Sequence, residues 1–159
     1  LQAALVAELQ KKGLKAATAE SCTGGLVSKR ITEVAGASQV FDCGICSYAN
    51  QIKERVLGVS HETLEALGAV SRETAAQMAA GVRKLAQADI GVSTTGIAGP
   101  DGGTDEKPVG LVYVGVDSEN YSTVLECRLS RGYRDERELI RYLTSSHALR
   151  LALTAARKA

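Results

Sequence analysis

The stretch Ala19-Glu20-Ser21-Cys22-Thr23-Gly24-Gly25 follows an alternating, strand-like run from Leu14 to Ala19 and precedes an apolar-periodic segment from Leu26 to Val34. A serine followed closely by two glycines at a strand-to-helix switch sits where backbone N–H groups are free and converge. Such a turn has two chemical uses. It can hold an anion, or it can present a nucleophile beside an oxyanion hole.

Working outward, Leu1 to Lys12 reads as an amphipathic helix stopped by Gly13, and the segment after the Ser21 turn reads as a helix to about Ala35. Gln39 to Ala49 reads as a second strand. Asn50 to Leu57 and the segment from Ser60 to Gly68 read as short helices, each opened by a capping residue type. Ser71 opens a longer helix whose apolar stripe is Ala75, Met78, Ala79, Val82 and Leu85. Asp89 to Thr95 is a third strand that runs into a glycine-rich loop from Gly96 to Pro108. Val109 to Val116 and Ser122 to Leu129 form a hairpin, and a long helix runs from Arg134 onward.

Strands alternating with helices, plus one late hairpin, predict an α/β fold. The expected architecture is a single three-layer α/β/α domain over residues 1–159 with a mixed, mostly parallel sheet. Ligands gather at the carboxyl ends of strands in such sheets, and both glycine-rich turns fall at such ends.

Composition narrows the function classes. Hydrophobic residues make up 45% and charged residues 23%, and 19 basic against 18 acidic side chains leave a net charge of +1. There is neither a basic excess nor a basic run, and aromatic content is 4% with no Trp, so nucleic acid is not an expected partner. No apolar run approaches the ~20 residues of a membrane helix, so no membrane partner is expected. No signal-peptide pattern opens the chain, which begins at Leu1 and suits a trimmed chain or the tail domain of a longer protein. Cys43 and Cys46 have CxxC spacing, but no second pair and no nearby His accompany them. On a strand they point to opposite faces, and the reading is free thiols in a reducing cytoplasm.

The loop Thr94-Thr95-Gly96-Ile97-Ala98-Gly99-Pro100-Asp101-Gly102-Gly103-Thr104 has four glycines and three Thr hydroxyls suited to close approach to a phosphate or carboxylate. It lacks the GK[ST] ending of a Walker loop and is no GxGxxG fingerprint. A Ser–His–Asp triad is disfavoured because only His61 and His147 exist and both sit on predicted helices. A serine nucleophile then needs another base, and lysine is the usual substitute. Lys53 follows the end of the second strand through Tyr48, at the same sheet end as Ser21. Arg134, at the start of the last helix, is a candidate phosphate clamp.

The motifs around Ser21, Tyr48-Ala49-Asn50 with Lys53, Leu57-Gly58-Val59, Gly68-Ala69-Val70-Ser71, Gly96-Ile97-Ala98-Gly99-Pro100-Asp101-Gly102-Gly103 and Lys107-Pro108-Val109-Gly110 occur in that order. Together they resemble the CinA C-terminal domain family, whose stand-alone members are PncC-type amidohydrolases. The resemblance covers nearly the whole chain. It implies hydrolysis of the carboxamide of nicotinamide mononucleotide (NMN) to the carboxylate and ammonia, without a metal or cofactor. By matching position it implies Ser21 as nucleophile, Lys53 as base and Tyr48 in support. It further implies ligand contacts at Thr23, Gly24, Gly25, Ser38, Thr95, Gly96, Gly99, Gly102 and Arg134.

Two departures stand out. The family usually has Gly-Asp-Arg before the last helix, where this chain has Gly132-Tyr133-Arg134. Its second strand usually ends Val-Thr-Tyr, where this chain has Ile45-Cys46-Ser47-Tyr48. The expected partners are a small-molecule substrate and further copies of the chain, in the cytoplasm. The alternative is a nucleotide-binding domain without catalysis, serving a larger CinA-type protein.

Overall fold

The computed structural model describes residues 1–159. In chain order its elements are α1 (Gln2–Lys12), β1 (Ala16–Glu20), α2 (Leu26–Thr32), β2 (Phe41–Cys46), α3 (Asn50–Leu57), α4 (His61–Leu67), α5 (Arg72–Ala86), β3 (Ile90–Gly96), β4 (Leu111–Ser118), β5 (Thr123–Arg128) and α6 (Arg137–Lys158). The five strands form one sheet in the order β2-β1-β3-β4-β5. β1 pairs in parallel with both β2 and β3, while β4 is antiparallel to both its neighbours. Four strands therefore share one direction, and the sheet is mixed and mostly parallel.

One face of the sheet carries α1, α2 and α6, the other α3, α4 and α5. The larger core lies on the first face. There Leu5, Val6 and Leu9 of α1 meet Val27 and Ile31 of α2 and Leu149, Ala152 and Ala156 of α6 over Ile90 and Val92. The second core is smaller and packs Ala17 and Ala19 of β1 against Leu57, Met78 and Val82. Both faces of β1 are covered, which is why Ala16 to Glu20 are all buried.

Gly81 sets how closely α3 lies on α5. A Cβ there would stand 1.9 Å from the Leu57 carbonyl oxygen, so only glycine lets the two helices meet at this point. α3 is thereby held tight against the sheet end where β1 stops.

The last helix starts later than Arg134, where the sequence places its beginning. Glu136 folds back to accept bonds from the Ser130 hydroxyl and the Arg131 N–H, which closes 130–136 into a loop. α6 therefore begins at Arg137, and Arg134 stays outside it. No helix is long and apolar enough to cross a membrane.

Candidate active site

The site is built at the carboxyl end of β1. Ser21 continues the sheet by donating its N–H to the Thr94 carbonyl (2.9 Å), and Ser47 donates its N–H to the Glu20 carbonyl (2.9 Å). The chain then turns sharply through Gly24 (φ +58) and Gly25 (φ +103), a left-handed stretch open to glycine at little cost.

Glu20 decides what that turn can do. It is 1% exposed. One carboxylate oxygen accepts from the Thr23 hydroxyl (2.6 Å) and the Val27 N–H (2.8 Å). The other accepts from the Ser28 N–H (3.0 Å) and the Ser28 hydroxyl (2.7 Å). Since Thr23 spends its proton on Glu20, the Thr94 hydroxyl 2.7 Å away must donate to Thr23. The start of α2 is thus already capped by an internal anion with the favourable dipole sense. A phosphate there would have to displace a buried carboxylate. The Val27 and Ser28 N–H groups are therefore closed to an external anion. The N–H groups of Thr23 and Gly25, by contrast, make no hydrogen bond within the protein.

Lys53 comes from α3, with none of its surface exposed. Its Nζ stands 2.9 Å from Ser21 Oγ and 3.1 Å from the Tyr48 carbonyl oxygen. Burial lowers the Lys53 pKa from 10.5 to about 8, with the nearby Cys22 thiol pulling weakly the other way. Part of the lysine is therefore neutral near pH 8, and at 2.9 Å the neutral amine is within reach of the serine proton. The neighbouring Cys22 is buried too, and burial pushes its thiol up to about 12. Cys22 stays a neutral thiol while Ser21 has a base.

Arg137 spans the mouth of the site. It donates to the Gly99 carbonyl (2.8 Å) and to the Tyr48 hydroxyl (3.2 Å), joining the glycine loop to the segment that precedes α3. One turn on, Arg141 donates to the carbonyls of Cys22 (3.1 Å) and Thr23 (2.9 Å). Neither arginine is in an ion pair with a carboxylate. A cleft of about 560 Å³ opens beside this arrangement, lined by Leu26, Asp135, Glu138, Leu139, Arg141 and Tyr142.

Of the residues expected from the sequence, Ser21, Tyr48 and Lys53 meet, and Gly99 joins them through Arg137. Thr95 lies at the same sheet end, but its hydroxyl is committed to the Ala69 carbonyl (2.7 Å), which fixes the segment leading into α5. Gly96 ends β3, and Gly102 is exposed farther along the loop. Two expectations are corrected. Ser38 lies on the short 3-10 turn before β2, at the opposite end of the sheet from Ser21. Arg134 is exposed in the loop ahead of α6 rather than on that helix, and Arg137 is the arginine that reaches the Tyr48 hydroxyl. Sequence reading missed Arg137, Arg141 and Glu20. The four-residue spacing of the two arginines was a usable signal, because it puts both on one face of a helix.

The two histidines stay away from Ser21. His61 is exposed between Glu54 and Glu65, and His147 is half-buried within α6. All four cysteines are free; Cys43 packs inward against the second core while Cys46 faces out.

Known proteins give the same outline. The CinA C-terminal domain profile matches residues 1–156. A protein of Thermoanaerobacter sp. (strain X514) named competence-damage inducible is 55% identical over 149 residues, 94% of this chain and 35% of its own length. The chain spans about a third of the length of the curated relatives it matches. Among solved structures, the competence/damage inducible protein CihA from Agrobacterium tumefaciens superposes with a TM-score of 0.91 at 43% identity, covering 95% of this chain and 90% of that one. A CinA superfamily protein from Klebsiella pneumoniae gives 0.90 at 28% identity, covering 98% and 95%.

Proposed function

This chain belongs to the CinA C-terminal domain family, and on that premise we propose that it hydrolyses the carboxamide of NMN to nicotinate mononucleotide and ammonia. The observation that carries the reading is the 2.9 Å approach of a wholly buried Lys53 to Ser21. The substrate class comes from the resemblance of the motifs to amidohydrolases of this family.

In the proposed reaction Ser21 Oγ attacks the carboxamide carbon and its proton passes to Lys53 Nζ. The oxyanion of the tetrahedral intermediate is received by the unused N–H of Thr23, whose peptide partner, the Cys22 carbonyl, Arg141 holds the other way. Lys53 returns the proton to the departing nitrogen, so that ammonia leaves and an ester remains on Ser21. Water, deprotonated by Lys53, then attacks that ester, the proton goes back to Ser21, and the carboxylate product leaves. Arg137 donates only two of its five N–H bonds within the protein, so it has donors left for the phosphate.

The test is ammonia release from NMN by the wild type beside Ser21→Ala. Turnover is expected in the first and none in the second, with both folded by circular dichroism. Full activity in the variant would remove Ser21 as nucleophile.

A second reading, a nucleotide-binding domain without catalysis, uses the same unengaged Arg137 donors. It predicts tight NMN binding by calorimetry with no ammonia released over hours.

A further inference from the structure

Ser47 Oγ is the one buried side-chain polar atom in the protein without a hydrogen-bond partner. Ser47 itself has none of its surface exposed. It lies one step beyond β2, and its N–H to the Glu20 carbonyl carries the β1–β2 ladder on, so that Ser47 stands beside Ser21. Neighbouring strands lie roughly 4.8 Å apart. The faces also match. Cys43 and Ile45 of β2 turn toward the core that contains Ala17, Ala19 and Leu57, and by the two-residue period Ser47 and Ser21 turn the same way, toward α3.

We propose that Ser47 is a positioning residue for the Ser21–Lys53 pair, its hydroxyl accepting the Lys53 N–H that neither Ser21 nor Tyr48 engages. The inference rests on the reading of Lys53 as the base. A neutral amine turns its lone pair to the Ser21 hydroxyl and one N–H to the Tyr48 carbonyl, which leaves one N–H. The ammonium formed when the Ser21 proton arrives turns N–H groups to the Ser21 oxygen and the Tyr48 carbonyl, and again one is left. On the buried face that Lys53 enters, Ser47 Oγ is the acceptor with nothing else to bind, and rotation about its χ1 swings it among staggered positions there. The bond is stronger to the ammonium, because it is then charge-assisted. Ser47 therefore opposes the burial that disfavours the protonated amine, and keeps Lys53 a competent proton acceptor.

The other ionisable groups around Lys53 do not duplicate this part. β1 and its turn bring Glu20, saturated by its four donors, and the neutral Cys22 thiol. The segment after β2 brings the Tyr48 phenol, and α6 brings Arg137 to that phenol. Glu54 and Arg55 of α3 are exposed, and α5 buries only Thr74, Ala75, Met78, Ala79 and Val82.

The experiment follows the Lys53 side chain by heteronuclear NMR titration in the wild type, Ser47→Ala and Ser47→Thr, with the resonance assigned by its loss in Lys53→Met. Ser47→Ala should lower the titration midpoint by about one pH unit, a tenfold change in the equilibrium. Ser47→Thr, which keeps the hydroxyl, should restore it. Above pH 9, where Lys53 is neutral in both proteins, ammonia release from NMN at saturation should fall by up to about tenfold in the alanine variant, with KM unchanged and the threonine variant rescued. An unchanged midpoint in Ser47→Ala overturns the proposal, and a merely structural hydroxyl predicts that result. A lowered midpoint in a wild-type background that releases no ammonia upholds the Ser47–Lys53 bond and instead overturns the amidohydrolase reading.

Discussion

Lys53 Nζ stands 2.9 Å from Ser21 Oγ across a sequence separation of 32 residues, with the lysine wholly enclosed by the protein. The pairing fixes what each replacement should do. Lys53→Met removes the base, and Lys53→Arg supplies a guanidinium that stays protonated. Both should lower NMN turnover by about 10³-fold, within the range for loss of a general base. Single-turnover ammonia release checks this, and an arginine variant keeping a tenth of the activity would contradict it.

The pH dependence has a definite sign. Burial lowers the Lys53 pKa from 10.5 to about 8, so kcat/KM should rise through pH 8 and level off above it. Stability should follow a linked course. Below pH 8 both folded and unfolded chains hold the proton, and the buried ammonium burdens the fold. Between about 8 and 10.5 only the unfolded chain holds it, so stability increases with pH, by roughly 3 kcal/mol at most across the window. Urea midpoints of the wild type should gain on those of Lys53→Met between pH 8 and 10. Parallel curves would refute the shift.

Glu20→Gln keeps the shape but puts an NH2 group where N–H and O–H donors converge. The expected loss is about 2 kcal/mol or more of stability, since bonds to a charged acceptor are among the stronger ones. Activity should fall further than stability accounts for, because the Ser21 turn loses its anchor. Denaturant unfolding and turnover on the same samples test both parts.

Arg137 and Arg134 should separate cleanly. Arg137→Ala removes the bridge between Gly99 and Tyr48 and the donors proposed for the phosphate, and KM for NMN should rise about 10- to 100-fold. Arg134→Ala, in the exposed loop, should leave KM within about twofold. The reverse pattern would return the phosphate to Arg134.

Much of the fold was legible because its signals are local. Alternation marked β1, Ser60 and Ser71 marked two helix starts, and both serines do accept an N–H from three residues on. Ser21 and Lys53 were legible for a related reason, since both sit within a few residues of strand ends that the parallel pattern brings together. Other features depend on contacts that spacing does not express. The choice between Arg134 and Arg137 turned on where α6 begins, and that is set by Glu136 binding back to Ser130 and Arg131. Glu20 reads as an ordinary acidic residue until its four donors are assembled around it. Ser38 is a different case. It precedes β2, so strand direction alone was enough to send it to the far end of the sheet.

α6 contributes Arg137 and Arg141 from its first two turns, and the ribosome makes it after every other part of the site. A nascent chain that has emerged only through β5 already holds Ser21 and Lys53, yet nothing draws the Cys22 and Thr23 carbonyls aside or ties Tyr48 to Gly99. Such a chain also lacks Leu149, Ala152 and Ala156 from the larger core, so one helix completes the fold and the pocket together.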